Sequence, residues 1–250
     1  MTLSTALLLL VAGFAAGIVN SLAGGGSFLT LTALVVAGGL PVDVANGTNR
    51  VAIVVQSLAA AWTFQRAGQT ESLLVLRLAP ATIVGALVGA KLSLDVPGDA
   101  FETVIGVAMI GMMGLVLARP KRFLEGAARP SRLRLGLADL VFFGIGVYGG
   151  FLQAGVGVFL LAGLVGLAGR DLVQANVAKV VLALVFTVPA LMVFLAEGAV
   201  DWAAGGVLAV GTAAGGVAGA RLAIRGGAAA VRWVLLVVLA LSAGRFLFGA

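Results

Sequence analysis

Apolar residues run along this chain in blocks of about twenty, parted by short clusters of charge, proline or glycine. A helix rising 1.5 Å per residue needs about 20 residues to cross roughly 30 Å of hydrocarbon. The pattern predicts such helices over 44–66, 71–94, 99–118, 172–196, 200–222 and 229–248. Two further blocks are interrupted. Residues 3–22 are apolar, Ala23-Gly24-Gly25-Gly26-Ser27 breaks them, and 28–37 is a second helix too short to cross. Residues 135–168 do the same around Gly149-Gly150 and Gln153-Ala154-Gly155-Val156-Gly157.

The second half repeats the first at an offset of 130 or 131. Gly24-Gly25-Gly26-Ser27 falls on Gly155-Val156-Gly157-Val158, Ala45-Asn46 on Ala175-Asn176, Glu71 on Asp201, and the segment Gly85 to Leu92 on Gly215 to Leu222. One nearly constant offset over four segments indicates duplication. The expected organisation is a first membrane repeat (1–118), a basic connection (119–134) and a second membrane repeat (135–250). The fold class expected is an all-α polytopic membrane protein, each repeat being a Gly-interrupted helical hairpin followed by three transmembrane helices.

Composition agrees with this picture. The chain is 61% apolar and 10% charged, against about 25% charged in soluble proteins, so it cannot coat a water-facing surface. With no cysteine and no histidine, thiol chemistry and the commonest metal ligand and general base are absent. Neither enzyme activity, a metal nor another cofactor is expected. The net charge of +6 would suggest nucleic acid in a soluble protein; in a membrane protein, basic loops report orientation. Arg119, Lys121, Arg122, Arg129, Arg132 and Arg134 mark the central connection as cytoplasmic. The connection near 96 is acidic (Asp95, Asp99, Glu102), and its counterpart near 226 is basic (Arg221, Arg225, Arg232). Opposite bias at equivalent places predicts inverted repeats. The N-terminus has no basic region before its apolar block, so the first segment reads as a retained helix rather than a signal peptide.

Irregular backbone at membrane depth is tolerated only where it is buried in protein or lines a polar cavity, and paired breaks point to a transporter's binding site. The candidate lining of the first break is Asn20, Ser21, Gly24, Gly25, Gly26 and Ser27; that of the second is Gln153, Gly155 and Gly157. A helix starting at Ser27 would turn its positive dipole end to the ligand, which favours an anion. The next helix of each half adds Asn46, Thr48, Asn49 and Arg50, and Asn176 and Lys179. Charges within spans suggest function, and Arg50 and Lys179 could neutralise an anion. The competing reading makes the glycines packing surfaces and lets the two cations snorkel to the interface. Gly85-x-x-x-Gly89 and Gly215-x-x-x-Gly219 read as helix contacts, Pro80 and Pro189 as kinks, Trp62 and Trp202 as interfacial anchors, and Glu71 and Asp201 as exposed loop residues.

The duplicated Gly-rich break with its short helix, Pro41 with Ala45-Asn46-Gly47-Thr48, and the Gly85 to Leu92 segment resemble the sulfite exporter TauE/SafE family over residues 6–248. The resemblance implies a multi-pass inner-membrane permease for small anions, with sulfite, thiosulfate or sulfonates as candidates. Val156 and Val158 depart from the pattern of the first copy, which implies an asymmetric site. Expected partners are the small anion and the lipid bilayer, with homo-oligomerisation open and nucleic acid excluded. The leading function is a secondary transporter working by alternating access. An anion channel and an intramembrane scaffold are the alternatives. No phosphate-binding loop is present in the glycine runs, so direct ATP drive within this chain is disfavoured.

Overall fold

A computed structural model describes residues 1–96 and 136–248, so the expected span 99–118 and the basic connection lie outside the described residues. All regular structure among the described residues is helical: α1 (Leu3–Leu22), α2 (Ser27–Thr32, continued by a π-helical turn Ala33–Ala37), α3 (Val42–Arg66), α4 (Ser72–Asp95), α5 (Leu137–Phe151), α6 (Val156–Gly166), α7 (Leu172–Ala196) and α8 (Trp202–Phe248). The termini have local causes. Thr2 caps α1 by accepting from Thr5 N at 3.2 Å, and the Asp171 carboxylate caps α7 by accepting from Val173 N and Gln174 N, both at 2.9 Å. Each satisfies N–H groups that the first helical turn leaves without a carbonyl.

Among the described residues, four helices are long and apolar enough to cross a membrane: α1, α4, α7 and the Trp202–Val231 part of α8. Their large apolar side chains face outward, with Leu3, Leu73 and Leu76 exposed, while Asn46, Asn49, Arg50, Asn176 and Lys179 are buried. An apolar exterior around a polar interior is what hydrocarbon surroundings select. Trp62 and Trp202 are exposed near helix ends, as expected of interfacial anchors, and the Arg66 guanidinium lies 4.8 Å from the Trp62 ring centre.

Equivalent elements recur at matching positions, α3 and α7 starting at Val42 and Leu172, α4 and α8 at Ser72 and Trp202. Three details differ from the sequence pattern. Gly149 and Gly150 belong to α5, so the second break is only Leu152 to Gly155, and Gly157 lies inside α6. The helices after the breaks begin at Ser27 and Val156, so Gly26 matches Gly155 rather than Gly157. The expected spans 200–222 and 229–248 form one run, broken only at Gly227, whose φ of 54° and ψ of −148° are non-helical.

The fourth helix of each half packs on the other half. Gly211, Gly215 and Gly219 of α8 abut Leu10, Phe14 and Ile18 of α1 in turn, and Gly85 and Gly89 of α4 abut Phe143 and Val147 of α5. Both GxxxG segments are therefore close helix contacts, and both pairs run parallel. Helix α8 also runs parallel to α3, with Gly205 beside Thr48, Thr212 Oγ1 donating to Ala52 O at 3.1 Å, and Gly216 beside Gln56. Two bodies result, one of α1, α2, α3 and α8, the other of α5, α6, α7 and α4. The chain passes between them at the turns after α3 and α7, where Gly68 and Gly198 have φ of 73° and 68°.

Candidate functional site

The two breaks meet at the seam between the bodies. Gly24 and Gly157 lie backbone to backbone, so close that a Cβ on either would run into the other's main chain. Gly26 lies against Ala16 O, which turns α2 back alongside α1. Gly24 itself has φ of 91°, a conformation that favours glycine. In the second break Gly155 has φ of 73° and Gln153, without glycine's freedom, has φ of 65°.

Polar side chains satisfy the first break from within. The Asn20 amide donates to Ser27 Oγ at 3.1 Å and to Gln56 Oε1 at 3.2 Å, and its carbonyl accepts from Ser27 N at 3.2 Å. The N–H that a helix start at Ser27 was expected to offer is thus engaged. Phe28 N donates to Gly25 O at 3.4 Å. Thr30 Oγ1 donates to Asn49 Oδ1 at 2.7 Å, tying α2 to α3. The second break is held from its neighbours instead. Gln153 accepts from Arg50 at 2.9 Å through Oε1 and donates to Thr187 Oγ1 at 2.9 Å through Nε2. Tyr148 OH donates to Ala154 O at 2.6 Å.

The bonds that span the seam are reciprocal. Asn46 of α3 donates to Phe151 O at the end of α5 at 2.7 Å and to Ser93 Oγ at 3.1 Å. Its counterpart Asn176 of α7 donates to Ser21 O at the end of α1 at 2.8 Å. Arg50 donates to Gly149 O at 3.1 Å and to Gly150 O; Lys179 Nζ donates to Asn20 O at 2.7 Å. Each cation therefore sits at the C-terminal end of the other half's broken helix, where the helix dipole is negative. The Arg50 guanidinium also lies 4.4 Å from the Phe194 ring centre, a cation–π contact.

Arg50 and Lys179 are 0% and 2% exposed, which removes the snorkelling alternative. No Asp or Glu is buried among the described residues. Moving an uncompensated charge out of water is costly, and here carbonyl and amide dipoles and, for Arg50, the Phe194 ring face it. Several buried polar atoms on the cations' own helices and at the end of α1 have no partner: Ser21 Oγ, Asn46 Oδ1, Asn49 Nδ2, Arg50 Nε and Asn176 Oδ1.

Fourteen of the fifteen candidate residues line the two breaks or lie along this seam, Thr48 being the exception. Gly25 is buried within the first break. Thr48 turns away, accepting from Asp201 N at 2.8 Å at the start of α8, and Gly155 serves mainly as the left-handed N-cap of α6. Glu71 is not a free loop residue, because it pairs with Arg170 at 3.2 Å and its side chain is only 12% exposed. Asp201 caps α8 through Ala204 N at 2.8 Å. Gln56 and Thr187, which complete the networks of Asn20 and Gln153, were missed in the sequence because neither stands in a glycine or charge pattern. Their signal was positional: Ser57, next to Gln56, is the repeat counterpart of Thr187.

The fold defines a multi-pass helical membrane protein. Residues 9–246 match the family model described as Sulfite exporter TauE/SafE, and the chain belongs to that family. It is 31% identical over 233 residues to the "Probable membrane transporter protein ORF9" of a Sinorhizobium species, covering 92% of this chain and 87% of the relative. It is 31% identical over 236 residues to the "Probable membrane transporter protein YfcA" of Escherichia coli K12, covering 93% and 86%. A "Probable membrane transporter protein" of Haemophilus influenzae is 25% identical over 232 residues, covering 92% and 90%. No solved structure matches the chain.

Proposed function

We propose that this protein is a secondary permease of the inner membrane, carrying small anions, sulfite or related sulfur oxyanions or organosulfonates, by alternating access between two inverted repeats. The observation that carries the anion reading is the pair of buried cations, Arg50 and Lys179, with no buried carboxylate among the described residues. A low-dielectric interior with two such charges attracts a counter-ion and penalises a cation. The family description supports sulfite and its chemical relatives as first candidates.

Helix directions support inversion. Helices α1, α3 and α8 are parallel, as are α4 and α5, and the short turns after α3 and α7 reverse the chain. Helices α4 and α5 therefore oppose α1, α3 and α8, and α7 opposes α8. Helices α1, α3 and α4 thus oppose their counterparts α5, α7 and α8. Alternating access is supported by the division into two bodies, joined mainly through α3 and α7 along a seam of hydrogen bonds and small residues.

The test is reconstitution into proteoliposomes with 35S-labelled sulfite, sulfate, thiosulfate and a small sulfonate. The expected result is saturable uptake with counterflow, reduced at least tenfold by Arg50→Gln. Linear flux without counterflow would make the protein a channel. Transport of every substrate unchanged in Asn46→Ala and Arg50→Ala would remove the site assignment.

A further inference from the structure

The two buried cations are too far apart to share one small ion. The Arg50 guanidinium lies over the Phe194 ring, and Lys179 precedes Phe194 by 15 residues on the same continuous helix, α7. Through Gln153 the guanidinium is also joined to Thr187, 8 residues after Lys179, so at 1.5 Å per residue Arg50 meets α7 at rises of about 12 to 22 Å beyond Lys179. A sulfur oxyanion is roughly 5 Å across, on the scale of a few hydrogen-bond lengths, so it can touch one cation or the other.

Each cation has its own polar surroundings. Asn46 stands one turn before Arg50 and Asn176 one turn before Lys179, spacings that place each pair on one helix face. On α3 the unpartnered buried atoms are Arg50 Nε, Asn46 Oδ1 one turn earlier and Asn49 Nδ2 on the adjoining residue; at Lys179 they are Asn176 Oδ1 on its own helix and Ser21 Oγ on the residue after Asn20, whose carbonyl Lys179 binds. Buried polar groups are nearly always satisfied, and two sets of orphans at two cations mark two places where a ligand's hydrogen bonds are missing. Lys179 adds spare donors of its own, an ammonium with three protons and one hydrogen bond, to Asn20 O.

We infer that Arg50 and Lys179 form two separate anion stations in series, one toward each face of the membrane, with Asn46 and Asn49 serving the first and Asn176 and Ser21 the second. This rests on the anion-permease reading above and replaces a single shared site by two. The stations differ in chemistry. Arg50 offers a planar fork suited to two oxygens of one anion, Lys179 a point charge. Because each cation also holds carbonyls across the seam, an anion arriving at a station competes with the bonds that close the seam at that end.

The chain contains no cysteine, so single cysteines can report each station. Asn46→Cys and Asn176→Cys would be reacted in intact cells and in inside-out membrane vesicles with anionic sulfonatoethyl methanethiosulfonate and its cationic trimethylammonioethyl analogue. Rates are divided by those with free mercaptoethanol. The expected result is that position 46 reacts from one face only and position 176 from the opposite face only, each at least fivefold faster with the anionic reagent. Arg50→Gln should erase that preference at 46 and leave it at 176, and Lys179→Gln the reverse. Asn49→Cys and Ser21→Cys repeat the readout if either asparagine variant fails to reach the membrane. Reaction of both positions from the same face, reaction of neither, or loss of preference at both positions after removing one cation overturns the two-station arrangement. A cationic preference at both positions of the otherwise unchanged chain, with opposite sidedness kept, overturns the anion reading and not the separation.

Discussion

The first break carries its own polar support and the second borrows its support from elsewhere. In the first, Asn20 bridges the gap to Ser27 and Gln56, all within one half. In the second, Gln153 is held between Arg50 of the other half and Thr187. The backbone path is shared only in part, Gly24 and Gln153 both having positive φ while Gly26 has φ of −66° where Gly155 has 73°, and the means of satisfying it differ. Geometry is fixed wherever two main chains touch, as at Gly24 and Gly157, because no side chain fits there. Where side chains do the work, any donor and acceptor of the right reach suffices, and the halves have diverged. The cations follow the same rule. Arg50 grips two carbonyls and a side-chain amide, Lys179 one carbonyl.

Paired substitutions test how far this equivalence extends. The largest effect is expected at the backbone contact: Gly24→Ala and Gly157→Ala should each cost more than about 3 kcal/mol, since main chain must move. Both should fail to yield monodisperse protein on gel filtration. Survival of one alone would show that the breaks are not equally constrained. Next come the cations. Arg50→Gln should reduce initial uptake rates more than Lys179→Gln, each by at least tenfold, because Arg50 makes three bonds in the seam and Lys179 one.

A smaller and graded effect is expected at the asparagines. Asn46→Ala loses two hydrogen bonds and Asn176→Ala one, so thermal unfolding in detergent should show losses of about 2 and about 1 kcal/mol. Equal losses would mean that the bond to Ser93 contributes nothing. The smallest effect belongs to the turns between bodies. Gly68 and Gly198 have positive φ with open space where a Cβ would go, so Gly68→Ala and Gly198→Ala should each cost roughly 1 kcal/mol through backbone conformation alone. A much larger loss of transport than of stability at either would identify that turn as a moving joint.

Much of this was readable along the chain. The α7 helix spans the residues its apolar block covers, and α1, α3 and α4 lie within two residues of theirs, because twenty apolar residues bounded by turn formers leave few other choices. The GxxxG contacts were legible for the same local reason. The second break was displaced, since Gly149-Gly150 looks like an interruption and is instead packed helix; Gly150 lies against Ala86 O and Gly149 against Phe186. The polar residues near the breaks were found by type, but not the bonds they make. Ser27 offered a helix start and turned out to be met by Asn20. Glu71 looked exposed and is paired with Arg170.

Order along the chain was enough to establish a helical membrane protein with two glycine-containing breaks and a cation in a helix after each, because hydrophobic period and residue spacing are properties of the chain alone. It could not establish that the fourth helices cross over, that the two glycine breaks touch, or that Arg50 meets α7 at Phe194 and, through Gln153, at Thr187, well beyond Lys179. Those facts depend on which helix faces are narrow enough for backbone to meet backbone, and that is decided only when all the helices pack at once.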